Sequence, residues 1–323
     1  MGLNLALRKY FSIGLNLAGL APRFWEDSSS YFITVDYHYL SGHEITFPTL
    51  EVSRDILDKQ LNFMHRNMHV INPKYFDKNF FLSNQSKKSS ILVTIDDGDS
   101  SIQENFDLFR KYQIPIIFFI PFGLCLEINS RDGLMSRILR SFFEIEENKL
   151  SNFQVKEDFF KKVECASMEE LKLIYSELLP LRDNIDPISN RALLSIDVLK
   201  EMAKDPLITL GSHSMSHPVL SGIPEKWLDW ELTTSVKYLQ MVQGDNKYFA
   251  YPYGFKDSIN NNIKNKLKEL GVEYAFSTRS MAATSNSDSL ELGRIGMLNF
   301  FNRRYLYGLA GRAFEVFDKI LLR

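Results

Sequence analysis

Two apolar runs limit most sharply what this chain can fold into. Ile114-Pro115-Ile116-Ile117-Phe118-Phe119-Ile120-Pro121 contains no polar side chain, and Ile91-Leu92-Val93-Thr94-Ile95 contains one. Short β-branched and aromatic runs bounded by turn residues read as strands. A strand that is apolar on both faces belongs in a sheet covered on both sides, and such sheets are built of parallel strands joined by helices.

The remaining pattern agrees. Strands are expected over Tyr31 to Leu40, Leu207 to Leu210, Tyr248 to Tyr251, Glu273 to Ser277 and Leu290 to Ile295. Helices are expected over Pro48 to Phe63, Ile102 to Tyr112 and Glu225 to Val242, over Ile259 to Leu270 with Gly271 as its stop, and after Ser195 as an N-cap. Between Gly123 and about Asn190 the strand signal vanishes. That stretch is charged and helical in period, and reads as an insertion. Strand and helix alternating along the chain predict an α/β fold, either a parallel barrel or an open sheet.

At 323 residues a single α/β barrel accounts for the length, and 25 Phe supply ample core. A net charge of −2 excludes a general nucleic-acid binder, which carries a basic excess. Cys125 and Cys165 are the only cysteines, too few for a disulfide framework. Residues 1–30 hold an amphipathic helix and linker: Asn4, Arg8, Ser12 and Asn16 draw a polar stripe that a cleavable signal has no reason to keep. Residues 301–323 form a second amphipathic helix, with Arg303, Arg304, Arg312, Lys319 and Arg323 beside its apolar face. Two readings stay open for these ends. Packing on the domain is weighed slightly ahead of peripheral contact with an anionic membrane face, the chain itself being placed in the cytoplasm.

Chemistry concentrates where the apolar runs stop. The first strand of the pair ends in Asp96-Asp97-Gly98, and the run Leu207 to Leu210 is followed by His213-Ser214-Met215-Ser216-His217. Two adjacent carboxylates at a strand mouth need a cation or a shared proton. One carboxylate and two imidazoles, with positions open for water and substrate, are the ligand pattern of a catalytic divalent metal. Each motif alone is commonly a turn or a cap. Their joint occurrence at strand ends, with Tyr253-Gly254 after a further strand, is the arrangement that α/β folds use for active sites.

These residues resemble the polysaccharide deacetylase family, carbohydrate esterase family 4 or NodB homology domain. Thr94-Ile95-Asp96-Asp97-Gly98 is similar to its first motif, His213 to His217 to its second, and Phe249-Ala250-Tyr251-Pro252-Tyr253-Gly254 to its aromatic-Pro-Tyr-Gly third, in the Ala-Tyr-Pro-Tyr-Gly version of a subfamily. The likeness spans roughly Ser90 to Met297. It implies a distorted (β/α)7 barrel over residues 31–300, with the helical insertion at about 123–194 and extra terminal helices. It further implies Asp97, His213 and His217 as ligands of a divalent metal (Zn²⁺ first, with Co²⁺, Ni²⁺ or Mn²⁺ as options) and Asp96 as the base. Tyr253, Tyr251 and Gly254 would face the substrate and its oxyanion. The implied activity is N-deacetylation of an amino sugar in a glycan or polysaccharide intermediate, an N-acetylated glycan being the partner.

Two departures qualify that carry-over. Ala250 stands where the family has an Arg that orients the base, and no histidine lies beyond His217 to serve as the usual acid. His38 after the first strand and Arg294 in Leu292-Gly293-Arg294 are the candidate replacements: His38 as acid or as a supporting histidine, Arg294 as oxyanion stabiliser or as the partner that orients Asp96. Two alternatives stay open: the same metal chemistry on another C–N bond or an acetyl ester, and a non-catalytic glycan-binding module.

Overall fold

The computed structural model describes residues 31–41, 50–77, 89–147, 153–182 and 192–310. The expected helix over residues 1–30 and the end of the C-terminal one lie outside these. Among the described residues no helix is long and apolar enough to cross a membrane.

The chain runs β1 (Tyr31–Tyr37), β2 (Tyr39–Ser41), β3 (Glu51–Ser53), α1 (Arg54–Asn67), β4 (His69–Val70), β5 (Ser90–Ile95), α2 (Ser101–Tyr112) and β6 (Ile116–Ile120). Four helices follow before the next strand: α3 (Phe122–Cys125), α4 (Arg131–Glu147), α5 (Phe153–Cys165) and α6 (Met168–Arg182). Then come α7 (Ile196–Met202), β7 (Ile208–Ser212), α8 (Glu225–Met241), β8 (Tyr248–Ala250), α9 (Asn261–Glu269), β9 (Tyr274–Phe276), β10 (Ala283–Thr284), β11 (Ile295–Gly296) and α10 (Arg303–Ala310).

Strands β1, β5, β6, β7, β8 and β9 lie side by side and parallel. The curl closes through residues 292–296: Leu292 bridges Phe276 of β9, and Ile295 pairs with Val35 of β1. The result is the distorted parallel barrel that the apolar runs require. Phe118, Phe119, Ile116 and Ile117 are all buried, as are Leu92, Val93 and Ile95, because β5 and β6 are covered on both faces. At about 25 cal/mol per Å² of apolar surface, such residues contribute most of the drive to close the sheet.

Local signals hold where they set an end. Ser195 Oγ accepts from Val198 N to open α7, Asn260 Oδ1 accepts from Ile263 N to open α9, and Gly271 at φ +84° follows it. The expected helix over Pro48 to Phe63 starts later. Glu51–Ser53 instead pairs with β2, and Asn299 Oδ1 accepts from both Ser53 N and Ser53 Oγ at 3.0 Å. Partners distant in sequence override the helical period there. The expected strand from Leu290 to Ile295 shortens likewise, since Asp288 Oδ1 accepts from Leu290 N in a turn and only Ile295–Gly296 pairs as a strand.

The expected insertion is helices α3 to α6. Its core joins Phe142, Phe159 and Phe160, and Phe160 packs on Trp227 of α8 with ring centroids 5.2 Å apart. Its root is tight: a Cβ at Gly123 would stand 1.8 Å from Ser136 Oγ and 2.9 Å from the Met215 carbonyl oxygen. Only glycine lets α3 and α4 approach the loop that carries the histidines. At the other end, α10 buries Tyr305 and Leu306 against the main core.

Candidate metal centre and active site

Strands β5, β7 and β8 end at Ile95, Ser212 and Ala250, and the three motif loops leave from these points. All therefore gather at the C-terminal rim of the barrel. Four residues there hold left-handed backbone conformations: Asp97 (φ +72°), Ser214 (+67°), His217 (+61°) and Tyr253 (+59°). For residues with side chains each costs about 1 kcal/mol or more, and such strain persists where surrounding contacts over-determine it. Those contacts are visible. Glu231 of α8, buried, accepts from Met215 N (2.8 Å), Ser216 N (3.0 Å) and Ser216 Oγ. Ser212 Oγ bonds Ser235 Oγ at 2.8 Å, and Ser214 Oγ accepts from His217 N at 3.1 Å. Gly254 sits at φ +58° where a Cβ would meet Thr278 N at 2.8 Å.

The loops bring Asp97, His213 and His217 together. Asp97 Oδ1 lies 3.6 Å from His213 Nε2 and 3.4 Å from His217 Nε2. A tetrahedral ion with N and O donors at about 2.0–2.2 Å sets neighbouring donors roughly 3.3–3.6 Å apart, so the separations fit. The donor chemistry fits as well. Burial lowers the pKa of both imidazoles, most strongly for His217 where Arg140, His213 and His38 add to it, so both are neutral at pH 7. His213 Nδ1 lies 2.7 Å from the Ala250 carbonyl oxygen, which can only accept, so the proton sits on Nδ1 and Nε2 is left bare for a ligand. Tyr39 donates to Asp97 Oδ2 at 3.2 Å.

Asp96 is held differently. Arg294 makes a paired contact, Nη1 to Oδ1 at 2.6 Å and Nη2 to Oδ2 at 2.7 Å, with both side chains essentially excluded from solvent. Burial pushes the Asp96 carboxyl up, yet the Arg294 guanidinium and then His213 outweigh it, and the group stays ionised below its ordinary 3.8. Arg294 Nη1 also donates to Thr94 Oγ1 and Nε to the Ser277 carbonyl. Fully buried and bonded through both terminal nitrogens to Asp96, Arg294 stands where it can orient that carboxylate. It also supplies, from the residues that close the barrel, the guanidinium that Ala250 cannot.

His38, 21% exposed, lies near Asp96, with Nδ1 3.7 Å from Asp36 Oδ2. Asp36, His38 and Asp96 come close enough to suggest a second ligand trio. Within this trio Asp96 is also bonded through both oxygens to the Arg294 guanidinium. Tyr253 flanks the centre, its ring 5.0 Å from that of His217. Against the expectation that Tyr251 faces substrate, it is buried and its hydroxyl donates to the Leu290 carbonyl at 2.7 Å. Its N–H bonds Phe276 O, and the Gly254 N–H bonds Pro252 O, so neither amide is placed as an oxyanion donor.

Three residues of this site escape the motif reading. Asp36 carries a signal, a carboxylate inside an apolar strand, two residues from His38 and so on the same face. Tyr39 follows it on β2. Arg140 has none: it arrives from α4 of the insertion, and its Nη1 donates to His217 Nδ1 at 2.6 Å.

With this geometry in hand, comparison with known proteins is informative. Residues 183–275, which include both histidines and the Tyr253-Gly254 turn, match the family model described as Polysaccharide deacetylase. The chain resembles the polysaccharide deacetylases in sequence and in fold. Comparison with curated protein sequences finds no match. Among solved structures, the Streptococcus pyogenes deacetylase PplD, in complex with acetate, superposes with a TM-score of 0.58 at 17% identity, over 85% of this chain and 96% of that one. IcaB from Ammonifex degensii gives 0.56 at 18%, over 87% and 97%. A de-N-acetylase from Aggregatibacter actinomycetemcomitans gives 0.56 at 12%, over 86% and 99%. At these identities the likeness is one of fold, and it places the present barrel with the deacetylase barrels.

Proposed function

We propose that the chain is a metal-dependent N-deacetylase acting on an N-acetylated amino sugar in a glycan or polysaccharide intermediate. The observation that carries this is the ion-sized triangle of Asp97 Oδ1, His213 Nε2 and His217 Nε2 beside a second, ionised carboxylate, Asp96. Support for the substrate class comes from the deacetylase family match and from solved relatives whose described activity is deacetylation.

A divalent ion held by Asp97, His213 and His217, Zn²⁺ on donor chemistry, supplies Lewis acidity and brings a water's pKa from 15.7 towards about 7. The protein's own residues do the rest. Asp96, fixed by Arg294, takes the proton of the attacking water as its oxygen bonds the acetyl carbon. His38 gives a proton to the sugar nitrogen as the C–N bond breaks, so acetate and a free amine leave with charge balanced. Asp36 stands beside His38, its Oδ2 3.7 Å from Nδ1, and keeps the imidazole in place. Tyr253 walls the metal side. Arg294 and His38 also weigh against a non-catalytic reading, since they fill the two gaps that motivated it.

The experiment is acetate release from a panel of N-acetylated oligosaccharides, cyclic amides and acetyl esters, with zinc supplied, by wild type and His38→Gln. Turnover of the N-acetylated glycans, slowed about 10²-fold or more by His38→Gln with zinc affinity kept, is the expected result. Cleavage confined to cyclic amides or esters would reassign the substrate, and release by His38→Gln at the wild-type rate would remove His38 as the acid.

A further inference from the structure

Phe255 comes directly after the Tyr253-Gly254 turn at the barrel rim and belongs to none of the three motifs. It is 46% exposed. Single exposed apolar residues are ordinary on a protein surface, and Tyr75, 83% exposed, is one. Tyr75 sits at the opposite end of the barrel, where Pro73 O accepts from the hydroxyl of Tyr248, the first residue of β8. Phe255 differs in its place and in how firmly its backbone is held. Thr278, in the loop after β9, donates through Oγ1 to Tyr253 O (2.7 Å) and through N to Gly254 O (2.9 Å). Phe255 O accepts from both N (3.0 Å) and Oγ (2.7 Å) of buried Ser258. Ser221, four residues beyond His217, donates to Asp257 O at 2.9 Å. The fold thus fixes the chain on either side of Phe255 and leaves Phe255 itself open to solvent.

The surroundings say what covers it. The Tyr253 ring lies 5.0 Å from that of His217, and two residues of chain span at most about 7 Å. A glycan with one acetamide at the metal centre therefore has a neighbouring sugar within reach of Phe255. A pyranose carries an apolar face of C–H groups between its hydroxyl edges. The face of an aromatic ring holds the negative part of its quadrupole and attracts such groups, and a Phe side chain has only two torsions to order. We propose that Phe255 is a specificity-determining residue: its ring stacks on a sugar adjoining the one that loses its acetyl group, so that oligomers are held more tightly than single sugars. The inference rests on the reading of the chain as a glycan N-deacetylase, and it adds where along the glycan the protein takes hold.

The test uses the full chain with zinc supplied and a ladder of N-acetylglucosamine oligomers, from the single sugar to the pentamer. Acetate release gives kcat and KM. Calorimetry in the Asp96→Asn background gives affinity without turnover, and thermal melting checks the fold of each variant. Affinity should rise with oligomer length when Phe255 is present. Phe255→Ala should raise KM for the pentamer about tenfold with kcat nearly unchanged, the mark of lost binding shared by ground and transition states, and should flatten the rise with length. Phe255→Trp should keep the length dependence and Phe255→Leu, apolar but without a ring face, should not restore it. Tyr75→Ala should match the wild type throughout. An unchanged pentamer KM in Phe255→Ala overturns the proposal, as does a loss that is equal for the shortest and longest oligomers, or full recovery by Phe255→Leu. If the wild type neither binds nor deacetylates any oligomer, the deacetylase reading falls and this proposal with it. If it does both and Phe255→Ala behaves alike, this proposal alone falls.

Discussion

Asp96→Asn is expected to cut acetate release by about 10²–10⁴-fold while zinc affinity stays within a few-fold of wild type. The two adjacent carboxylates hold separate positions. Asp97 Oδ1 lies 3.6 and 3.4 Å from the two imidazole Nε2 atoms, whereas Asp96 has both oxygens bonded to Arg294 and meets only His213 Nε2, at 3.7 Å. An amide at position 96 keeps one acceptor for Arg294 and loses the negative charge. The base disappears and the ligand set does not. The variant also leaves Arg294 buried opposite a neutral group, so a lowered melting temperature accompanies the loss, and activity is compared below that melt. Release within tenfold of wild type would place the base elsewhere.

Arg294→Met carries the largest expected effect on stability, about 3–5 kcal/mol, the usual cost of removing one member of a buried ion pair. Its pH dependence gives the sharper test. In the wild type Asp96 is held below its ordinary 3.8, so the pair's contribution is fully present at neutral pH and is lost as pH falls below about 4. Without Arg294 the largest remaining influence is burial, which raises the Asp96 pKa. A carboxyl raised in the folded state reverses the sign: stability is kept below the unfolded value of about 3.9 and lost as pH climbs from there through the raised value. Melting curves of Arg294→Met should therefore improve on mild acidification while those of the wild type worsen. The rate should follow, with the ascending limb of the pH–rate profile displaced to higher pH, since Asp96 must ionise to act as a base. Parallel pH–stability curves for the two proteins would contradict the account.

What could be read from the residue order, and what could not, follows from the range of the interactions involved. Asp97, His213 and His217 were legible because each follows an apolar run, and the end of a buried strand is where the chain meets the barrel rim. Arg294 was legible only as two alternatives. Its contact with Asp96 arises because residues 292–296 close the barrel between β9 and β1, bringing together two residues 198 positions apart. Tyr251 misled because it shares a motif with Tyr253, but two positions earlier, directly after β8, its hydroxyl turns into the core towards Leu290. The segment 51–53 misled because helical period is a local signal and its pairing with β2 is not. Arg140 was not legible: nothing in α4 distinguishes it from other surface arginines until the aromatic contacts of the insertion dock that helix against the histidine loop. Asp36 was overlooked although a carboxylate in the middle of an apolar strand is itself an anomaly that asks for a partner.

The central claim is that Asp97, His213 and His217 share one divalent ion. Anomalous diffraction at the zinc edge, from crystals of the full chain grown with zinc, tests it most directly. The account predicts a single strong peak about 2.0–2.2 Å from Asp97 Oδ1 and from Nε2 of both histidines, with Asp96 still bound by Arg294 and the peak absent in Asp97→Asn. A peak that leaves any of the three out, or one that persists at full height in Asp97→Asn, would contradict it.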